Sequence, residues 1–138
     1  MNKVLKHLSL KLNRLDDKAG SKLCIDLLNN NSNLESLSLS SNSLNHMFCE
    51  SLAEFLKINK TLKSLDISCN FIDDSNAATL KDSLVGAPNI IDIDVRNNKL
   101  REDTEEDINE IVTKNLLASK KIPYKKLGEY ASGADQEK

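Results

Sequence analysis

Tryptophan is absent from the 138 residues and aromatic side chains make up only 4% of them, so a core must be built from aliphatic side chains. Cysteine is scarce as well: Cys24, Cys49 and Cys69 are odd in number and show no CxxC spacing. That pattern argues against both a disulfide framework and a cysteine zinc site, and the three read as reduced thiols. No apolar run approaches the about 20 residues needed to span a bilayer. The start, Met1-Asn-Lys-Val-Leu-Lys-His-Leu, lacks the apolar stretch and small-residue cleavage site of a secretory leader, so a cytoplasmic protein is expected. Net charge is also lacking. With 19 basic and 21 acidic side chains, there is no global attraction to nucleic acid or to an anionic membrane, and neither is expected as a partner.

What the chain has is an internal period. LKHLSLKLNRL begins at Leu5, LESLSLSSNSL at Leu34, LKSLDISCNFI at Leu62 and IIDIDVRNNKL at Ile90. Each copy fits LxxLxLxxNxL, and the 28 or 29 residue spacing is that of a stacked repeat protein. The LxL core alternates, which makes a short strand with one buried and one open face. Asn13, Asn42, Asn70 and Asn98 stand where the chain leaves each strand, and their amides are expected to form a backbone-binding ladder along the stack. After each strand, apolar residues recur at helical spacing, as at Leu52, Phe55 and Leu56 or at Ile108, Ile111 and Val112. Asp16, Asp17, Asn45, Asp73, Asp74, Glu102 and Asp103 fall at helix starts, where they are expected to cap free N–H groups. One helical column reads Gly20, Cys49, Ala77, a place for close helix approach, and Glu105 ends it.

The repeat domain is thus expected over residues 1–118, with units starting at 5, 34, 62 and 90. Residues 119–138, where Pro123 bars helix continuation among four lysines, are expected to form an extended polar tail. Only four residues precede the first unit. Leu5, Leu8 and Leu10 are therefore expected beside an open sheet edge, covered by further repeats or by a partner, and the isolated polypeptide is expected to be poorly soluble or to self-associate. Charge is uneven: residues 1–33 hold six bases and three acids, whereas residues 91–118 hold four bases and eight acids.

The outward columns of the strands and their ends are Lys6, His7, Ser9 and Lys11; Glu35, Ser36, Ser38 and Ser40; Lys63, Ser64, Asp66 and Ser68; and Asp92, Asp94, Arg96 and Asn97. These are the candidate protein-binding residues. They form a small-hydroxyl and charged surface without the Trp, Tyr and Arg clusters that dominate tight interfaces. His7 and His46 have no ligand-spaced neighbours, and nothing basic adjoins Cys69 in sequence to depress its pKa. No phosphate-binding glycine loop or nucleophile elbow occurs. No catalytic residue, metal, cofactor or small-molecule substrate is expected.

The repeat template resembles the leucine-rich repeat family, and the period with a full helix per unit resembles its ribonuclease-inhibitor-like class. The resemblance implies an α/β solenoid, a horseshoe arc of four strand–helix repeats with a parallel sheet on the concave side and helices on the convex side. It also implies a non-catalytic protein-interaction or scaffold role. The last repeat, IIDIDVRNNKLREDTEEDINEIVTKN, resembles the terminal repeat of axonemal members such as the leucine-rich-repeat subunit of the nexin–dynein regulatory complex. That implies a structural subunit of a cytoskeletal assembly, in a cilium or flagellum. Regulation of a small GTPase and substrate recognition in a ubiquitin ligase are the alternatives.

Overall fold

The computed structural model describes residues 3–30 and 33–121. Along the chain run β1 (His7–Ser9), α1 (Asp17–Asn30), β2 (Ser36–Ser38), α2 (His46–Ile58), β3 (Ser64–Asp66), α3 (Ala77–Val85), β4 (Asp92–Asp94) and α4 (Glu102–Ser119), with a 3-10 turn, Asp74–Asn76, leading into α3. The strands form one parallel sheet in the order β1-β2-β3-β4. Register is fixed by the period: Leu8 faces Leu37, Leu37 faces Leu65 and Leu65 faces Ile93. A slip of one residue would turn every one of these side chains out of the core.

The expected aliphatic core is present. Leu34, Leu37, Leu39, Leu44, Leu62, Leu65, Ile67 and Ile72 are buried between sheet and helices, joined by Phe48, Leu52, Phe55 and Leu56 of α2. Each such side chain contributes about 1.5–3 kcal/mol. Both flanks of the stack are looser: Leu5, Leu8, Leu10 and Leu15 at one end and Ile93 and Leu100 at the other are only partly buried.

The column of small residues has the expected cause at its first member. A Cβ on Gly20 would lie 2.3 Å from Leu44 Cδ2 and 3.2 Å from Phe48 Cδ1. The glycine lets α1 and α2 close on that pair.

The asparagine ladder is built as expected. Asn42 Oδ1 accepts from the backbone N–H groups of Asn13 (3.1 Å) and Leu15 (3.0 Å). Its Nδ2 donates to the carbonyls of Leu10, Leu39 and Ser40. Asn70 repeats this one unit later, accepting from Asn42 and Leu44 and donating to Leu39, Ile67 and Ser68.

The helix caps differ from expectation. Asp16 Oδ1 accepts from Ala19 N at 2.7 Å and Asp73 Oδ1 from Ser75 N at 3.0 Å, each capping its own helix start. Asn45 makes no side-chain cap to α2. Asp17 of the preceding unit does this instead: Oδ1 accepts from Asn45 N (2.9 Å) and Phe48 N (2.9 Å), and Oδ2 from Met47 N (2.8 Å). Asp74 reaches forward in the same way, accepting from Arg101 N and pairing with its guanidinium at 3.1 Å.

The turn after each strand passes through the left-handed region at Leu12 (φ 60), Ser41 (φ 59), Cys69 (φ 56) and Asn97 (φ 58). Asparagine tolerates this region; leucine does so at a cost of about 1 kcal/mol. Leu12 is 71% exposed and has little packing to lose. Leu12→Asn is therefore expected to raise the melting temperature by a few degrees in thermal unfolding followed by circular dichroism. An unchanged or lower melting point would show that the turn stores no strain.

Candidate protein-docking face

Three-residue strands place two side chains each on the sheet face away from the helices. One row runs His7, Ser36, Ser64, Asp92 and the other Ser9, Ser38, Asp66, Asp94. The first row pairs off across strands, with His7 Nδ1 and Ser36 Oγ 2.9 Å apart and Ser64 Oγ donating to Asp92 Oδ2 at 2.7 Å. At the strand entrances Glu35 sits between two cations, 3.5 Å from Lys6 Nζ and 3.2 Å from Lys63 Nζ. Hydrogen bonding and charge from Lys63, with a smaller contribution from Lys6, hold its carboxyl below the usual range. At the far side Asp94 is gripped by Arg96, whose Nε and Nη2 donate to it at 3.1 and 2.8 Å. That contact holds the Asp94 carboxyl low.

Of the sequence-predicted residues, Ser40 and Ser68 are not offered to a partner. They are 4% and 7% exposed, and their hydroxyls lie 2.9 Å apart in the interior. The strands end at Ser38 and Asp66, and the left-handed residue that follows each serine redirects the chain, so the alternation that predicted an outward position no longer applies. Their column mates on the flanking units, Lys11 and Arg96, are exposed. Lys6, Lys63 and Asn97 are also exposed, and Asn97 Nδ2 donates to Cys69 Sγ at 3.6 Å.

The face is grooved. A cavity of about 420 Å³ lies over β3 and β4, lined by Ser64, Asp66, Asp92, Asp94, Arg96 and Asn109. Another of about 240 Å³ crosses β1 to β3 and shares Ser64 and Asp66 with it. A third, about 320 Å³, lies at the strand entrances between Lys6, Glu35, Lys60 and Lys63, with Asn33 and Thr61. The face is thus basic around the entrances and acidic over β3 and β4. Lys60, Thr61, Asn33 and Asn109 escaped the sequence reading because they stand outside the repeat template, in the loops before the strands or on α4.

Cys24 on α1 and Cys49 on α2 are buried behind the sheet, away from this face. Burial pushes the Cys24 and Cys49 thiols up to about 12, with the neighbouring Cys49 adding to the shift at Cys24 and Asp17 to that at Cys49. Among the described residues no three His, Cys, Asp or Glu side chains converge as metal donors would. None of the described helices is long and apolar enough to cross a membrane.

Comparison with known proteins gives a consistent picture. A family model described as Leucine Rich repeat matches residues 2–24 and 59–80. The mouse (Mus musculus) NACHT, LRR and PYD domains-containing protein 14 is 39% identical over 83 residues, and protein 9B of the same series is 38% identical over 84. These matches take in 60% and 61% of this chain, which spans only 8% of the length of each relative. Among solved structures, leiomodin-1 actin-binding site 2 superposes with a TM-score of 0.68 at 12% identity, over 93% of this chain and 88% of that one. The tropomodulin C-terminal domain of Caenorhabditis elegans gives 0.57 at 11%, over 92% of each. At such low identity these two likenesses show the fold alone.

Proposed function

We propose, for a chain that is a leucine-rich repeat protein, that the open sheet face is a docking platform for another protein within a cytoskeletal assembly. The observation that carries this reading is a pair of adjoining grooves that share Ser64 and Asp66 and together cross all four strands, acidic over β3 and β4, beside a separate hollow at the basic strand entrances. Small serine side chains let a helix or strand approach closely, and the two charge fields orient it. The role is non-catalytic, and a cilium or flagellum is one setting for it. Residues 1–118 act as the repeat domain in this reading. The proposed polar tail, 119–138, lies outside the described residues from position 122 onward.

The cytoskeletal part draws on the leiomodin-1 likeness, a protein segment titled as an actin-binding site. The test is co-sedimentation of the purified chain with actin filaments and, separately, with microtubules. Pelleting with one of them is expected, weakened about tenfold by Asp66→Lys combined with Asp92→Lys, both at exposed or half-exposed positions. Wild-type protein that stays in the supernatant with both filaments would defeat the cytoskeletal reading. Binding untouched by the double reversal would remove the sheet face from it.

A further inference from the structure

The open sheet face holds unbalanced charge of both signs, in separate hollows. Ser64 and Asp66 of β3 stand in register with Asp92 and Asp94 of β4. Strand spacing and rise put these four at the corners of a rectangle of about 5 by 7 Å, and three of the corners are carboxylates. Arg96 is committed to Asp94, with contacts at 3.1 and 2.8 Å. The other two carboxylates are held by neutral donors. Asp66 Oδ1 accepts from Ser68 N (3.0 Å) and Ser68 Oγ (2.7 Å), and Asp92 Oδ2 accepts from Ser64 Oγ (2.7 Å). Asp66 Oδ2 and Asp92 Oδ1 receive no hydrogen bond and meet no cation among the described residues. The cavity of about 420 Å³ over β3 and β4 therefore sets three carboxylates against one guanidinium.

The hollow at the strand entrances has the opposite balance. Lys6 and Lys63 divide one carboxylate, Glu35, at 3.5 and 3.2 Å, and Lys60 donates to a backbone carbonyl, Lys57 O, at 3.2 Å. Three ammonium groups there stand against one carboxylate. Lys63 and Asp66 are three residues apart in the chain, so the two fields lie about 10 Å from each other. That exceeds the screening length at physiological salt, and neither field cancels the other.

We infer that the partner of this face is a protein segment of separated charge, which sets a lysine or arginine between Asp66 and Asp92 and an aspartate or glutamate against Lys60 and Lys63. The inference rests on the reading of the sheet face as a docking platform and names what docks there. A cation in the β3–β4 hollow reaches both free carboxylate oxygens without displacing Arg96. An acid at the entrances gains Lys60 without breaking the contacts of Glu35. A wholly basic segment would meet the ammonium groups of the entrances, and a wholly acidic one the carboxylates of β3 and β4, so only a segment carrying both signs satisfies the two fields. A base and an acid three residues apart in an extended segment, or about seven apart in a helix, match the separation.

Selection from a phage-displayed library of random peptides, each about a dozen residues long to hold either spacing, tests this with the full chain as bait. Enriched peptides are expected to carry a basic and an acidic residue at one of those spacings. In fluorescence anisotropy with a synthetic enriched peptide, Asp92→Lys and Lys60→Glu should each raise the dissociation constant about tenfold, with unchanged circular dichroism. Replacing the base of the peptide by glutamate should recover the affinity lost in Asp92→Lys. Enrichment of neutral or single-sign peptides, no enrichment, or binding indifferent to both reversals would overturn the inference. Filament pelleting that is lost on reversing Asp66 and Asp92, while the peptides fail in any of these ways, would leave the docking face standing and remove only this partner chemistry.

Discussion

Asn70→Ala is expected to destabilise the protein by about 4 kcal/mol, enough to unfold a large fraction of a marginally stable domain. The carboxamide of Asn70 makes five hydrogen bonds to backbone groups, all of them buried. Alanine supplies neither donor nor acceptor, and the buried N–H groups of Asn42 and Leu44 would lose the acceptor they share. Each unpaired buried group costs about 1–3 kcal/mol. Asn13→Ala is the internal comparison. Its side chain donates one exposed hydrogen bond, to Lys11 O at 3.0 Å, and in dilute solution it should cost less than about 1 kcal/mol. Urea unfolding followed by circular dichroism measures both. Similar losses for the two variants would show that the ladder is not what binds unit to unit.

The second large effect is expected at Asp17. Its carboxylate takes three backbone N–H groups at the start of α2, although it stands at the start of α1. Asp17→Ala removes a cap with charge-assisted hydrogen bonds and the favourable placing of a negative charge at a helix N-terminus, together about 2–3 kcal/mol. Asp17→Asn keeps one acceptor oxygen and should lose about half of that. Hydrogen exchange locates the effect: amides in the first turn of α2 should lose protection more than those of α1. Greater loss in α1 would mean that Asp17 serves its own helix after all.

That contrast shows where the sequence could be read and where it could not. The strands, their parallel order and the ladder follow from a period and an alternation, because Leu37 and Leu65 or Asn42 and Asn70 differ only by whole repeats. The partner of Asp17 follows from neither. An acid before a helix reads as a local cap, and only the sideways offset between units carries its oxygens to the next helix. Ser40 and Ser68 escaped for a related reason. Alternation holds for as long as the backbone stays extended, and here it ends two residues before each serine. The charged ends of the open face were visible as residues, whereas the hollows beside them depend on loop side chains such as Lys60 and Asn109.

The contacts that join one unit to the next have a consequence for how the chain acquires its shape. Strand pairs, helix contacts and the asparagine bonds all link residues roughly one repeat apart; the Asn70 bonds to the preceding unit bridge 26 to 31 residues. No strand must wait for a distant part of the chain to return. Folding can therefore begin at any adjacent pair of units and spread outward, and the entropic cost of closing long loops stays low for a parallel sheet, an arrangement that is otherwise slow to form. The best-buried pair, built around Phe48, Phe55 and Leu65, is the natural place for that growth to start, and the half-buried flanks are the first to fray.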